Sequence, residues 1–136
     1  MIVYFDTNVL LYAFTQNIDN HKQGETSTRL VEEAIKNNTI IVSEVSLCEF
    51  AFVSNKINED KSDIDNNLEF LSSFLQPSAF SVNQRILNIF KEKSLYMSSF
   101  DIYHLAFAEY YNAKLITFDK GFKKLKSISK VDIIIK

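Results

Sequence analysis

The chain has 136 residues, 46% hydrophobic and 24% charged, with 15 Lys and Arg against 17 Asp and Glu and a formal net charge of −2. That is enough globular sequence for a single domain over 1–136, and it excludes a disordered chain or two ordinary domains. Its one cysteine, Cys48, excludes an internal disulfide and a multi-cysteine zinc site, and no apolar stretch nears the ~20 residues of a membrane span.

Met1 runs straight into Ile2-Val3-Tyr4-Phe5, an apolar run ending at Asp6. This predicts a buried strand with no secretory leader before it, and so a soluble, cytoplasmic protein. Thr7-Asn8 can cap a short helix over 9–14, and the polar stretch 16–24 reads as a loop. Leu30, Val31, Ala34 and Ile35 give helical spacing that fades at Asn37-Asn38. Residues 39–42 read as a second strand. From Ser43 a helix runs through Val53, apolar nearly all round, so that it and Cys48 are expected in the interior. A charged turn over 58–63 leads to Ile64, Leu68, Leu71 and Leu75, an amphipathic helix that stops before Pro77. Residues 79–82 read as a third strand, Ile86, Leu87 and Phe90 as a helix, and 101–111 as a strongly apolar helix. Residues 114–118 and 131–135 complete the set as the fourth and fifth strands. Strands alternating with helices predict an α/β, three-layer fold with a mainly parallel sheet.

Four acids stand at element ends. Asp6 and Asp119 follow the first and fourth strands, where an open parallel sheet binds its ligands. Glu49 and Asp101 lie in early turns of apolar helices that can reach the same edge. Each has an ordinary reading as well. Asp6 can belong to a helix cap, Ser46 to Glu49 and Ser98 to Asp101 fit the capping-box spacing, and Asp119-Lys120-Gly121 fits a turn. No Arg or Lys lies within four residues of Glu49 or Asp101, and a buried unpartnered carboxylate is unfavourable. One divalent cation would neutralise the group. Oxygen-only ligands select Mg²⁺ or Mn²⁺, which activates water and polarises a phosphoryl oxygen, the chemistry of phosphodiester hydrolysis.

Four segments carry a resemblance. They are Phe5-Asp6-Thr7-Asn8-Val9-Leu10-Leu11-Tyr12, Val42-Ser43-Glu44-Val45-Ser46-Leu47-Cys48-Glu49-Phe50, Phe100-Asp101-Ile102-Tyr103-His104-Leu105-Ala106 and Leu115-Ile116-Thr117-Phe118-Asp119-Lys120-Gly121-Phe122. In this order the chain resembles the PIN domain along its whole length, and in particular the compact VapC-type toxins. The resemblance implies a five-stranded parallel sheet in the order 3-2-1-4-5, with the switch point between strands 1 and 4. It also implies a Mg²⁺- or Mn²⁺-dependent endoribonuclease. Asp6, Asp101 and Asp119 would hold the ion, Glu49 would hold or orient the attacking water, and Asn8 and Thr117 would support the site or touch substrate. An RNA substrate, a cognate protein antitoxin and a homodimer are implied as partners.

His104 stands where the family leads one to expect an aliphatic residue. Lying three residues after Asp101, it is either near the site or a hydrogen-bonded core histidine. His21, in a polar stretch, reads as surface. Residues 120–136 hold six Lys against Asp132, either a phosphate-facing patch that includes Lys123 and Lys124 or a plain solvated surface. The aromatics around Tyr103, Tyr110 and Tyr111 read as core first and as an interface second. Two rivals share the fold, a housekeeping RNA-processing nuclease and a silent nucleic-acid-binding module. A phosphatase or receiver is disfavoured because Asp6-Thr7-Asn8 lacks a second Asp and Phe5-Asp6 lacks an acidic pair. The absence of a glycine-rich phosphate loop argues against a nucleotide hydrolase.

Overall fold

A computed structural model describes residues 1–136 apart from Lys93 and Leu95. Four short strands, β1 (Val3–Phe5), β2 (Ile40–Ile41), β3 (Lys114–Thr117) and β4 (Ile133–Ile135), form a parallel sheet in the order β2-β1-β3-β4. Successive side chains point to opposite faces, and this alternation builds two cores. Tyr4, Ile41, Leu115 and Ile133 face one side. They pack on α5 (Phe80–Glu92), α6 (Ser99–Tyr110) and a 3-10 helix (Lys120–Leu125). Phe5, Ile40 and Ile116 face the other side. There they meet α1 (Thr7–Phe14), α2 (His21–Lys36), α3 (Glu44–Lys56) and α4 (Lys61–Ser72). The result is an α/β fold of three layers. The chain leaves β1 toward β2 on one side and β3 toward β4 on the other, so the switch point lies between β1 and β3.

The expected third strand is corrected. Residues 79–82 are not a strand, since α5 begins at Phe80. The place beside β2 is held instead by one parallel bridge between Val42 and Leu75, in which Val42 N donates to Phe74 O at 3.0 Å and Gln76 N to Val42 O at 2.9 Å. Within the run, Val82 is buried in the packing of α5 and Phe80 is open to solvent. Among the described residues the sheet therefore has four strands, in the expected order without its outermost member.

Other differences are local. Half of the expected loop 16–24 is helical, because the Asn20 side chain accepts from Gln23 N and starts α2. The cap of α1 is Asp6 rather than Thr7 or Asn8. Helix α3 is not interior all round: Ser46, Phe50 and Ser54 are buried, whereas Phe52 and Cys48 are exposed. Helices α2, α3 and α6 are each followed by an asparagine with positive φ, at Asn38, Asn58 and Asn112. Asn tolerates this left-handed turn, which explains how a chain with two glycines ends its helices sharply.

Candidate active site

The switch point gathers the acids. Asp6 leaves the end of β1, its backbone N–H donating to Ile116 O of β3 at 2.9 Å. Its Oδ1 accepts from Thr7 N at 2.8 Å and caps α1, and its Oδ2 accepts from Thr117 Oγ1 at 2.7 Å. The helix cap thus takes one oxygen of Asp6 and Thr117 the other. Thr117 Oγ1 also accepts from Asp119 N at 2.9 Å, so one buried hydroxyl ties the two strand-end acids to each other. The exposed Asp119 accepts at Oδ1 from Gly121 N at 2.8 Å. A Cβ on Gly121 would stand 3.0 Å from that oxygen, so glycine gives the carboxylate room to fold over the turn.

Glu49 comes from α3. Ser43 caps this helix by accepting from Ser46 N at 3.0 Å, so the Ser46 to Glu49 capping box is not formed. Instead Glu49 Oε1 accepts from Thr7 Oγ1 at 2.6 Å and bonds His104 Nε2 at 2.7 Å. His104 is fully buried, and its Nε2 also lies 3.7 Å from Asp6 Oδ1. Asp101 begins α6 with its N–H donating to Ser98 Oγ at 3.2 Å, as that capping spacing predicts.

Proton affinities follow this geometry. Burial pushes the Asp6 carboxyl above its ordinary range and Glu49 adds to the effect, while the His104 ring, the Thr117 hydroxyl and the Thr7 N–H oppose it. Burial likewise raises Asp101, with the charges of Asp6 and Asp119 adding to it against the Ser98 hydroxyl and His104. For Glu49, burial is outweighed by the hydrogen bonds from His104 and Thr7 and by the attraction of the His104 ring, and the net shift is downward.

The donor set suits a hard divalent ion, being carboxylates that repel one another with no Lys or Arg bonded to them among the described residues. Among those residues, no three His, Cys, Asp or Glu side chains stand close enough to enclose an ion by themselves.

Asn8 does not join the cluster. It lines a neighbouring apolar cleft with Leu11, Tyr12, Val53 and Ile57, where its buried Oδ1 has no hydrogen-bond partner among the described residues. Lys123 and Lys124 are exposed on the 3-10 helix that follows Asp119. Tyr103 is buried, donating to Ser78 Oγ at 3.0 Å, whereas Tyr110 is half exposed. Sequence reading missed Tyr4, whose hydroxyl reaches His104 Nδ1 at 2.6 Å, Ser43 Oγ at 2.7 Å and Ser46 Oγ at 3.0 Å. The available signal was a tyrosine inside an otherwise apolar strand, because a buried phenol needs a partner.

A family model described as PIN domain matches residues 3–128. No curated protein is matched at a significant level. Among solved structures, the chain is similar to one in VapBC2 from Rickettsia felis bound to a DNA fragment from their promoter. That match has a TM-score of 0.74 and 23% identity, covering 100% of this chain and 99% of that one. It is also similar to a chain of a toxin-antitoxin complex from Klebsiella pneumoniae, with a TM-score of 0.66, 18% identity and coverage of 97% and 95%. A third similarity is to VapBC-5 from Mycobacterium tuberculosis, a member of the VapBC family of toxin-antitoxin systems. There the TM-score is 0.62 at 19% identity, with coverage of 99% and 98%. At these identities the likeness is one of fold.

Proposed function

Because the chain belongs to the PIN domain family, we propose that it is a divalent-metal-dependent endoribonuclease, the toxin of a VapC-type toxin-antitoxin pair acting in the cytoplasm. The observation that carries this reading is the meeting of acids from separate elements at the switch point, where Asp6 and Asp119 both raise the proton affinity of Asp101. The toxin assignment is supported by fold likeness over nearly full chain lengths to toxin-antitoxin complexes. No helix among the described residues is long and apolar enough to cross a membrane.

Asp6, Asp101 and Asp119 would hold Mg²⁺ or Mn²⁺, directly or through water, in this reading. The ion supplies charge to polarise a phosphoryl oxygen and to acidify water. Thr117 and the Thr7 N–H fix both oxygens of Asp6. Glu49, kept ionised by its donors, presents its other oxygen to orient the attacking water. Lys123 and Lys124 lie on the segment leaving Asp119 and contact the RNA backbone. Asn8, in the cleft next to Tyr12, would be a further substrate-contacting group. A protein antitoxin and a second copy of the chain are the partners. Unpaired RNA, whose base edges are open, is the preferred substrate.

The test is cleavage of a loop-containing RNA by purified protein with Mg²⁺ or Mn²⁺, with EDTA, and with Asp6→Asn. Cleavage should need the ion and Asp6. Undiminished cutting in excess chelator would overturn the metal-dependent reading.

A further inference from the structure

We infer that His104 is a positioning residue for Glu49, and that Tyr4 fixes the ring tautomer in which it does so. The proposal rests on the nuclease reading for its catalytic consequence, but the tautomer itself does not.

The argument starts from proton counting. Glu49 Oε1 accepts from the Thr7 hydroxyl at 2.6 Å, so at the 2.7 Å contact with His104 it is the ring that donates, from Nε2–H. The same N–H lies 3.7 Å from Asp6 Oδ1 and is the ring donor between the two carboxylates. In a neutral ring the other nitrogen, Nδ1, must then accept. Among the described residues the hydroxyl that reaches it is that of Tyr4, 2.6 Å away. Tyr4 O–H can donate there because its oxygen can itself accept from Ser46 Oγ at 3.0 Å, whose own oxygen accepts from Ser43 Oγ at 3.0 Å. A directed chain results, from Ser43 to Ser46, from Ser46 to Tyr4, from Tyr4 to Nδ1, and from Nε2 to Glu49.

Its members come from different layers. Tyr4 lies in β1, Ser43 and Ser46 at the start of α3, His104 on α6 and Thr7 on α1, and Tyr4, Ser43, Ser46 and His104 are 0% exposed. Both Thr7 and His104 spend their donors on Oε1. The Glu49 side chain remains 32% exposed, and Oε2 is the oxygen left to meet water. An aliphatic residue at 104 would fill the space, leaving Glu49 with Thr7 alone and turning the Tyr4 hydroxyl back onto Ser43 and Ser46. Supporting groups of this kind orient a functional carboxylate through bonds that are made before any ligand arrives.

The first experiment needs neither metal nor RNA. Long-range ¹H–¹⁵N correlation on metal-free protein, with His21→Ala to assign the two histidines, should show His104 protonated at Nε2. A ring that carries its proton at Nδ1 alone overturns the proposal whatever the nuclease activity. The second compares His104→Gln, whose amide can reach Glu49 as a donor, with His104→Leu, which cannot. Cleavage kinetics at saturating Mn²⁺ are read per folded molecule, beside Mn²⁺ binding by titration calorimetry. His104→Leu should lower kcat about 10- to 100-fold with KM for RNA and Mn²⁺ affinity within about twofold, and His104→Gln should restore most of kcat. Equal kcat in the two variants, or wild-type kcat in the leucine variant, would mean that His104 only packs. If wild type cuts no RNA, the nuclease reading fails, while an Nε2–H signal in that same protein still upholds the oriented Glu49.

Discussion

The two halves of the acidic site are built differently. Around Asp6 and Glu49, three carboxylate oxygens take donors from the protein: Thr7 N and Thr117 Oγ1 on Asp6, and Thr7 Oγ1 with His104 Nε2 on Glu49 Oε1. This half is walled in by β1, α1, α3 and α6. Asp101 and Asp119 are held more lightly. Asp119 is exposed with Gly121 N as its donor, and Asp101 meets the charges of Asp6 and Asp119. One half is made ready by hydrogen bonds within the protein. The other is arranged so that a cation would relieve it. In the proposed reading, orientation falls to Glu49 and ion holding to Asp101 and Asp119, with Asp6 shared between them, and the residues should respond differently to mutation.

The largest effect is expected for Asp6, which belongs to both halves. Asp6→Asn should lower cleavage by at least ~100-fold, because charge aimed at a phosphoryl transition state is worth several kcal/mol. Asn caps about as well as Asp, and the change removes a charge whose proton affinity is raised by burial and by Glu49. The melting temperature without metal should therefore hold or rise. A variant that melts early and cuts normally per folded molecule would take Asp6 out of the active site.

Glu49→Gln should also slow cleavage, by ~100-fold if Glu49 orients or deprotonates water. Its effect on stability should have the opposite sign. Glu49 is lowered by its donors, so its ionised form favours the fold and its loss should reduce the metal-free melting temperature. If the Asp6 and Glu49 variants shift melting in the same direction, the contrast between the prepared and the relieved groups is wrong.

Acidity gives a smaller but signed effect. Where the folded proton affinity is raised, as for Asp6 and Asp101, the native state holds more protons than the unfolded chain between the two values. Stability from these groups is present at low pH and is lost as pH rises through their raised values. Glu49 runs the other way, present above its ordinary value and lost as pH falls through its lowered one. Subtracting the pH–melting curve of Asp6→Asn from that of wild type should leave a wild-type decline toward neutral pH, and Mg²⁺ should shrink it. Parallel curves would remove the Asp6 contribution. The smallest effect is expected from Lys123, Lys124 and Lys126, all exposed. Replacing them with Ala should flatten the salt dependence of RNA binding while leaving the melting behaviour nearly unchanged.

What could be read from residues alone follows from how local each signal is. Strand runs such as Ile2 to Phe5, and the Asp that ends each, are legible because burial and turn chemistry act within a few positions. The segment 79–82 misled because a short apolar run has no period of its own, and the α5 packing of Val82 and Ile89 decides its conformation. Cys48 and Phe52 misled in the same way, since an apolar helix composition does not say which side meets solvent. The four acids could be listed from their places in the elements. The network behind them could not, because Tyr4 and His104 are 100 positions apart and only the sheet brings them together.

The reduced edge of the sheet bears on self-association. Beside β2, the Leu75 bridge occupies the Val42 amide and carbonyl, so that end of the ladder offers less to a foreign strand. The opposite border is β4, three residues long and bracketed by Asp132 and Lys136. Short borders flanked by charge give an incoming strand little to zip onto. An aromatic-rich chain with 12 Phe and 6 Tyr can thus keep its isoleucine-rich strands from seeding cross-β aggregates, and lengthening β4 with apolar residues should remove that protection.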